Sequence, residues 1–166
     1  ATIKTLPRRE FSTGMAEMIK YGLIWDAKFL KWLENNIKEI MSLDPLVLLP
    51  AIYRCCEIKA HIVEQDETET GIRAILNFGH TIGHAIEAVT GYSLYTHGEA
   101  VALGMLYESK VAYELKLVDK SYLTRLCSLL QKCGLPTEII HIDTAELIEK
   151  MTHDKKNIDD NITFIL

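Results

Sequence analysis

The stretch Leu76-Asn77-Phe78-Gly79-His80-Thr81-Ile82-Gly83-His84-Ala85-Ile86-Glu87, followed shortly by Thr96-His97-Gly98-Glu99, contains three of the chain's six histidines. On a helix His80 and His84 stand at i and i+4. Both imidazoles then leave one face a turn apart, as a shared metal ion or a shared substrate requires. Gly79 and Gly83 flank them, and positions without side chains let another backbone or a ligand come close. A helix packed through small residues would account for one such histidine satisfied by hydrogen bonds. Three of them interleaved with glycine argue for a site.

Outward from this block the chain reads as helices. Thr96-x-x-Glu99 has the form of a capping box, which puts His97 in the first turn of the next helix and fixes where its ring points. Behind it Val101-Ala102-Leu103-Gly104-Met105-Leu106 is apolar nearly all round, as a helix through the middle of a bundle would be, and the helix runs to about Leu117. Gly91 ends the histidine helix, a further helix spans about Ser121 to Cys133 with Gly134 and Pro136 beyond it, and Asp143 and Thr144 cap a last one through Leu147, Ile148 and Met151. On the amino-terminal side, Ser12 or Thr13 can cap a helix carrying Gly14-Met15-Ala16-Glu17-Met18-Ile19-Lys20-Tyr21-Gly22. Taken alone, its Glu17 and Lys20 are an i,i+3 pair of the solvated kind, contributing a few tenths of a kcal/mol. Asp26 opens an amphipathic helix through Phe29, Leu30, Leu33, Ile37 and Ile40. Asp44-Pro45 is a strong start signal for another helix reaching about Val63, with Pro50 its weak point. The acidic run Glu64-Gln65-Asp66-Glu67-Thr68-Glu69 lacks apolar periodicity and is expected to be an exposed connection. Ile162-Thr163-Phe164-Ile165-Leu166 reads as a strand, which needs a partner from elsewhere and suggests a piece of something larger. The expected fold is all-α, a helical bundle with a short terminal β segment, forming one domain over residues 1–166.

Length and apolar content suffice for one core, and the net charge of −5 is spread without a basic block or stripe, which excludes the electrostatic footprint of a nucleic-acid binder. No apolar run reaches the length of a bilayer span and no leader-like segment opens the sequence, so a cytoplasmic protein with no membrane partner is expected. Cys55, Cys56, Cys127 and Cys133 have no C-x-x-C spacing and read as reduced small hydrophobes. A metal would therefore be held by nitrogen and oxygen, a donor set that favours a catalytic ion over a closed structural one. The candidate ligands are Glu17, His80, His84 and His97. The intervening Thr81-Ile82-Gly83 lacks the glutamate of H-E-x-x-H enzymes, and pattern alone leaves the choice between His84 and His97 open.

The glycine-rich segment around Glu17 and Lys20, Lys59, the acidic Asp66-Glu67-Thr68-Glu69, Arg73, the L-N-F-G-H-T-x-G-H-A-x-E block and His97-Gly98-Glu99 together resemble 3-dehydroquinate synthase. The resemblance runs in order over essentially the whole chain and covers the carboxy-terminal, metal- and substrate-binding domain of that family. Its amino-terminal NAD-binding domain has no counterpart here, and no G-x-G-x-x-G phosphate turn is present. The resemblance implies conversion of 3-deoxy-D-arabino-heptulosonate 7-phosphate to 3-dehydroquinate and phosphate in the shikimate pathway, with zinc, or cobalt in its place, and with NAD reduced and regenerated in each turnover. It implies Glu17, His80 and His97 as metal ligands, which hands His84 to the substrate. It also implies Lys20, Lys59, Glu69, Arg73, Asn77, His84 and Lys155 (or its neighbour Lys156) as substrate-binding residues, with His84, Lys59 and Asn77 nearest the chemistry. A sugar-phosphate substrate and a homodimer are the expected partners. The alternatives are another sugar-phosphate cyclase, a metal-dependent polyol dehydrogenase of the same superfamily, or a helical zinc-binding module with no activity of its own.

Overall fold

The computed structural model describes residues 3–140, 142–152 and 164–166. They divide into two compact units, Ala1–Leu76 and Asn77–Leu166. Each is helical, and no strand occurs among the described residues.

The first unit comprises α1 (Arg8–Ile24), α2 (Ala27–Asn35), α3 (Ile37–Met41) and α4 (Pro45–Gln65). Helix α1 buries Phe11, Met15, Ala16 and Ile19, a one-face spacing, and packs on α2 and α4. It starts earlier than a Ser12 or Thr13 cap would allow. Pro7 holds the extended N-cap conformation, the Phe11 N–H already donates to the Pro7 carbonyl, and Thr13 Oγ1 donates back to the Arg9 carbonyl from inside the helix. Gly22 lets α2 approach: a Cβ there would lie 2.9 Å from Leu30 Cβ.

Asp26 caps α2 as its position suggests, accepting from the Lys28 and Phe29 N–H groups at 3.0 and 2.9 Å. The same carboxylate takes a 2.6 Å bond from Arg54 Nη2 on α4. The single helix expected through Ile40 is broken at Asn36, whose side-chain amide donates to the Trp32 carbonyl at 2.8 Å and so competes with the backbone ladder. The apolar stripe survives the break, with Phe29, Leu30, Leu33, Ile37 and Ile40 all buried. Asp44 caps α4 through the Leu46 N–H, and the helix passes through Pro50 to Gln65. Burial of Leu48, Ala51, Cys55, Ile58 and Ile62 along it outweighs the one backbone bond that Pro50 removes.

In the second unit α6 (His97–Glu114) packs with α5 (His80–Val89) and α7 (Lys120–Lys132), and α8 (Thr144–Thr152) packs on α5. The helix stops are those the glycines indicate. At Gly91, with φ +59°, Tyr92 N–H returns to the Glu87 carbonyl and Gly91 N–H to that of Ala88, a Schellman closure; Gly134 closes α7 the same way.

Close backbone approach explains both glycines of the G-H-T-x-G-H pattern: a Cβ at Gly83 would lie 3.2 Å from the Ala100 carbonyl oxygen. Gly79 adopts φ +80°, and a Cβ there would meet the Val101 carbonyl and Met105 nitrogen at 2.8 Å; at Gly104 it would overlap the Gly79 carbonyl oxygen. Helices α5 and α6 therefore touch backbone to backbone, with Ile82, Ala85, Ile86, Ala100 and Leu103 buried around the contact. The expected terminal β segment is corrected in part. Ile162 and Thr163 lie outside the described residues, and Phe164–Leu166 form no strand. Phe164 instead packs on this core, and no described strand is there to pair with it.

Candidate functional site

Three imidazoles meet at the amino-terminal ends of α5 and α6. The ring centroids of His80 and His84 are 5.3 Å apart, those of His80 and His97 5.4 Å, and those of His84 and His97 6.2 Å. His80 and His97 are the first residues of their helices, so the close crossing of α5 and α6 brings them together. The Thr96 capping box forms in full, with Thr96 N–H donating to Glu99 Oε2 at 2.8 Å and Glu99 N–H to Thr96 Oγ1 at 3.4 Å.

The proton of each of these two rings has a place to go. His97 Nδ1 lies 3.2 and 3.3 Å from the two carboxylate oxygens of Glu87, and His80 Nδ1 lies 3.2 Å from the Phe78 carbonyl oxygen. An oxygen at Nδ1 favours the tautomer with the proton there and the lone pair on Nε2, the arrangement in which metal-binding histidines are held. Two such nitrogens fit a borderline ion taking imidazole and carboxylate ligands, zinc or cobalt, and offer nothing special to a hard ion such as magnesium. Glu87 is 8 % exposed; a carboxylate so placed is expected to be engaged. His84 lines a cleft with Thr81, Ala85, Ala88, Tyr92 and Lys150.

A second carboxylate supports the start of α5. Gly79, at the N-cap position, has no side chain to cap with. Glu108, three turns along α6 and fully buried, accepts from the Gly79 N–H at 2.8 Å and the Ile82 N–H at 3.4 Å, with a further bond from the Thr81 N–H. Burial pushes its carboxyl up to about 7, against the pull of these three donors.

In the first unit Lys20 is 3 % exposed, and its Nζ lies 2.8 Å from Glu17 Oε2 and 3.0 Å from Oε1. The pair is thus not the solvated surface pair that i,i+3 spacing alone suggests. Burial lowers the Lys20 pKa, Glu17 opposes that shift, and the Lys59 charge on α4 adds to it. The acidic run is largely exposed, as expected, and Asp66 within it accepts from the Thr70, Gly71 and Arg73 N–H groups at 3.1, 2.8 and 3.0 Å. These bonds, Arg73's first, hold its carboxyl below the usual range. Arg73 reaches the Glu67 carbonyl at 2.8 Å and stands 3.8 Å from Glu69 Oε2. Asn77 ends the 3-10 turn Ile72–Asn77. Lys155 and Lys156 lie outside the described residues.

Sequence reasoning thus singled out the three imidazoles that come together, but gave no role to Glu87, Glu108 or Asp66. For Glu108 a signal was present, a carboxylate within a helix otherwise apolar nearly all round.

Residues 14–157 match the family described as 3-dehydroquinate synthase C-terminal. The chain belongs to this family. Among curated 3-dehydroquinate synthases it is 50 % identical over 165 residues to that of Shewanella pealeana, with 99 % of the chain and 46 % of the relative covered. It is 47 % identical over 167 residues to that of Desulforamulus reducens, with 100 % and 46 % covered. The chain therefore spans about half the length of these 3-dehydroquinate synthases. A solved 2-deoxy-scyllo-inosose synthase, complexed with carbaglucose-6-phosphate, NAD+ and Co2+, is 30 % identical with a TM-score of 0.79 over 91 % of this chain and 42 % of that one. The 2-epi-5-epi-valiolone synthase ValA from Streptomyces hygroscopicus, solved with NAD+ and Zn2+, shares the fold at 23 % identity and a TM-score of 0.81, covering 89 % of this chain and 41 % of that one. The 3-dehydroquinate synthase match takes in every residue singled out above, from Glu17 to Lys155. No helix among the described residues is long and apolar enough to cross a membrane.

Proposed function

We propose that residues 1–166 are the metal- and substrate-binding domain, inactive by itself, of a 3-dehydroquinate synthase whose full-length form converts 3-deoxy-D-arabino-heptulosonate 7-phosphate to 3-dehydroquinate and phosphate. The observation that carries this reading is the His80 and His97 pair, each with an oxygen at Nδ1, in a chain of this family. Glu17, His80 and His97 hold the metal, zinc or cobalt, and the carboxylate of Glu87 behind His97 favours that histidine over His84 as the ligand. The bound ion supplies Lewis acidity toward the substrate's hydroxyl oxygens, and NAD, held by an amino-terminal domain outside this sequence, supplies hydride acceptance.

The chain's own side chains do the rest. The substrate carries a phosphate and a carboxylate, and Lys20, Lys59, Arg73 and Lys155 provide the matching charge, with Glu69 orienting Arg73. His84 and Asn77 donate hydrogen bonds to that phosphate, and His84 can hold a proton for the leaving group as the C–O bond breaks. The working protein is cytoplasmic and forms a homodimer.

The test is a turnover assay on the full-length protein with the heptulosonate phosphate and NAD, following phosphate and NADH together. Phosphate release without net NADH is the expected result. Accumulating NADH would point to a dehydrogenase, and release from another sugar phosphate but not from the heptulosonate would point to another sugar-phosphate cyclase.

A further inference from the structure

We infer that Glu108 is a positioning residue for the metal centre, setting the distance between the His80 and His97 rings by tying the start of α5 to α6. The inference rests on the reading of His80 and His97 as ligands. The first turn of a helix has backbone N–H groups with no partner inside the helix, and a side chain at the N-cap usually serves one of them. In α5 that position is Gly79, which sits at φ +80° with α6 against it. No larger residue fits there, so the cap has to come from another element. It comes from α6, where Glu108 receives the N–H groups of Gly79, Thr81 and Ile82. These donors bracket His80 on both sides. The helix that supplies the carboxylate also carries His97 as its first residue. One buried side chain thus locks together the two backbones from which the imidazoles project.

The alternative is that Glu108 serves packing alone. A carboxylate makes a poor packing group, since burying it costs several kcal/mol unless hydrogen bonds offset the loss of water. A leucine or methionine in the middle of α6 would fill the same space without burying a carboxylate, but would leave the N–H groups of Gly79, Thr81 and Ile82 without this acceptor. What a carboxylate adds is direction: two oxygens serve three N–H groups and fix the register of α5 against α6. A metal centre needs its ligands held within about 0.5 Å, and apart from the Glu87–His97 contact the described α5–α6 packing is largely glycine and apolar side chains, which direct a register less than hydrogen bonds do.

The experiment compares the unmodified protein with Glu108→Gln and Glu108→Asp. Zinc affinity is read by competition with a chromophoric chelator, and ligand geometry by the visible spectrum of the cobalt-loaded protein. The glutamine turns one acceptor into a donor facing an N–H, and the aspartate withdraws both oxygens by one methylene. Both variants should bind zinc about tenfold or more weakly, since residues behind metal ligands matter on that scale, with a shifted cobalt band. An affinity within twofold of the parent and an unchanged band in a folded variant would overturn the inference while leaving the ligand assignment standing. If the unmodified protein takes up no zinc at all, the ligand reading itself fails. A measurement needing no variant applies if neither variant folds, namely amide hydrogen exchange at Gly79, Thr81 and Ile82 in the metal-free protein. Protection before metal is added is expected from a carboxylate that pre-forms the site. Unprotected amides that become protected only on loading would show that the ion organises α5, and would overturn the inference.

Discussion

Replacing Gly104 by alanine tests the helix contact on which the site depends. A Cβ at this position would overlap the Gly79 carbonyl oxygen and stand 2.7 Å from its carbon and 3.0 Å from the Gly83 nitrogen. Non-bonded heavy atoms prefer about 3.5 Å, and all three obstacles are backbone, so no rotamer change relieves the clash. The helices must part by on the order of 1 Å at the crossing. Overpacking a tight interior costs about 1–3 kcal/mol, and the upper end applies where only backbone can give way. Alanine's better helix propensity returns about 1 kcal/mol. The net is a loss of about 2 kcal/mol, which for a unit of this size lowers Tm by about 10 °C. Thermal unfolding followed by far-ultraviolet circular dichroism measures it. Because the separation moves the helix beginning at His80 away from the one beginning at His97, zinc affinity should fall in the same variant. A Gly104→Ala protein as stable as its parent would refute the backbone contact and the argument built on it.

Two further outcomes follow from single contacts. Glu87→Gln presents a donor or a weaker acceptor to His97 Nδ1 in place of the carboxylate, and chelator competition should show zinc bound about 10–100-fold more weakly with little change in metal-free stability. Asp26→Ala removes the α2 cap, and near neutral pH should cost about 1 kcal/mol in urea unfolding. The N–H bond from Phe29, helped by Arg54, holds the Asp26 carboxyl below its ordinary value. Its contribution is therefore fully present above the usual carboxylate range and lost as pH falls through the depressed folded value. The gap between parent and variant should close in acid, and a gap that stays constant down to about pH 2 would show that the carboxylate's charge plays no part.

What the sequence disclosed and what it withheld divide along the range of the interaction. The caps at Asp26, Asp44, Thr96 and Asp143 and the stops at Gly91 and Gly134 are local chemistry, each settled within about five residues, and they stand in the structure as read. The misplaced start of α1 and the break at Asn36 are local too, but there two signals compete: Pro7 initiates ahead of Ser12, and the Asn36 amide interrupts a stripe whose apolar spacing runs on. Glu108 stood out as a carboxylate among apolar neighbours, but its partner could not be read, since Gly79 lies 29 residues away. Glu87 sits inside the quoted motif, yet its contact with His97 depends on how α5 and α6 cross. Burial decided the reading of Lys20: helix spacing made it a solvated partner of Glu17, and only the fold shows its ammonium enclosed. The three histidines could be found because the pattern was dense, whereas their division of labour depends on what stands behind each ring.

That division is the central claim, and metal content of two purified variants tests it most directly. His97→Ala should lose the zinc, because it removes the ring that Glu87 orients, whereas His84→Ala should retain it and fail only in handling the substrate. Equal loss of zinc from both would restore the i,i+4 pair of His80 and His84 as the metal site and contradict the assignment of His84 to the phosphate.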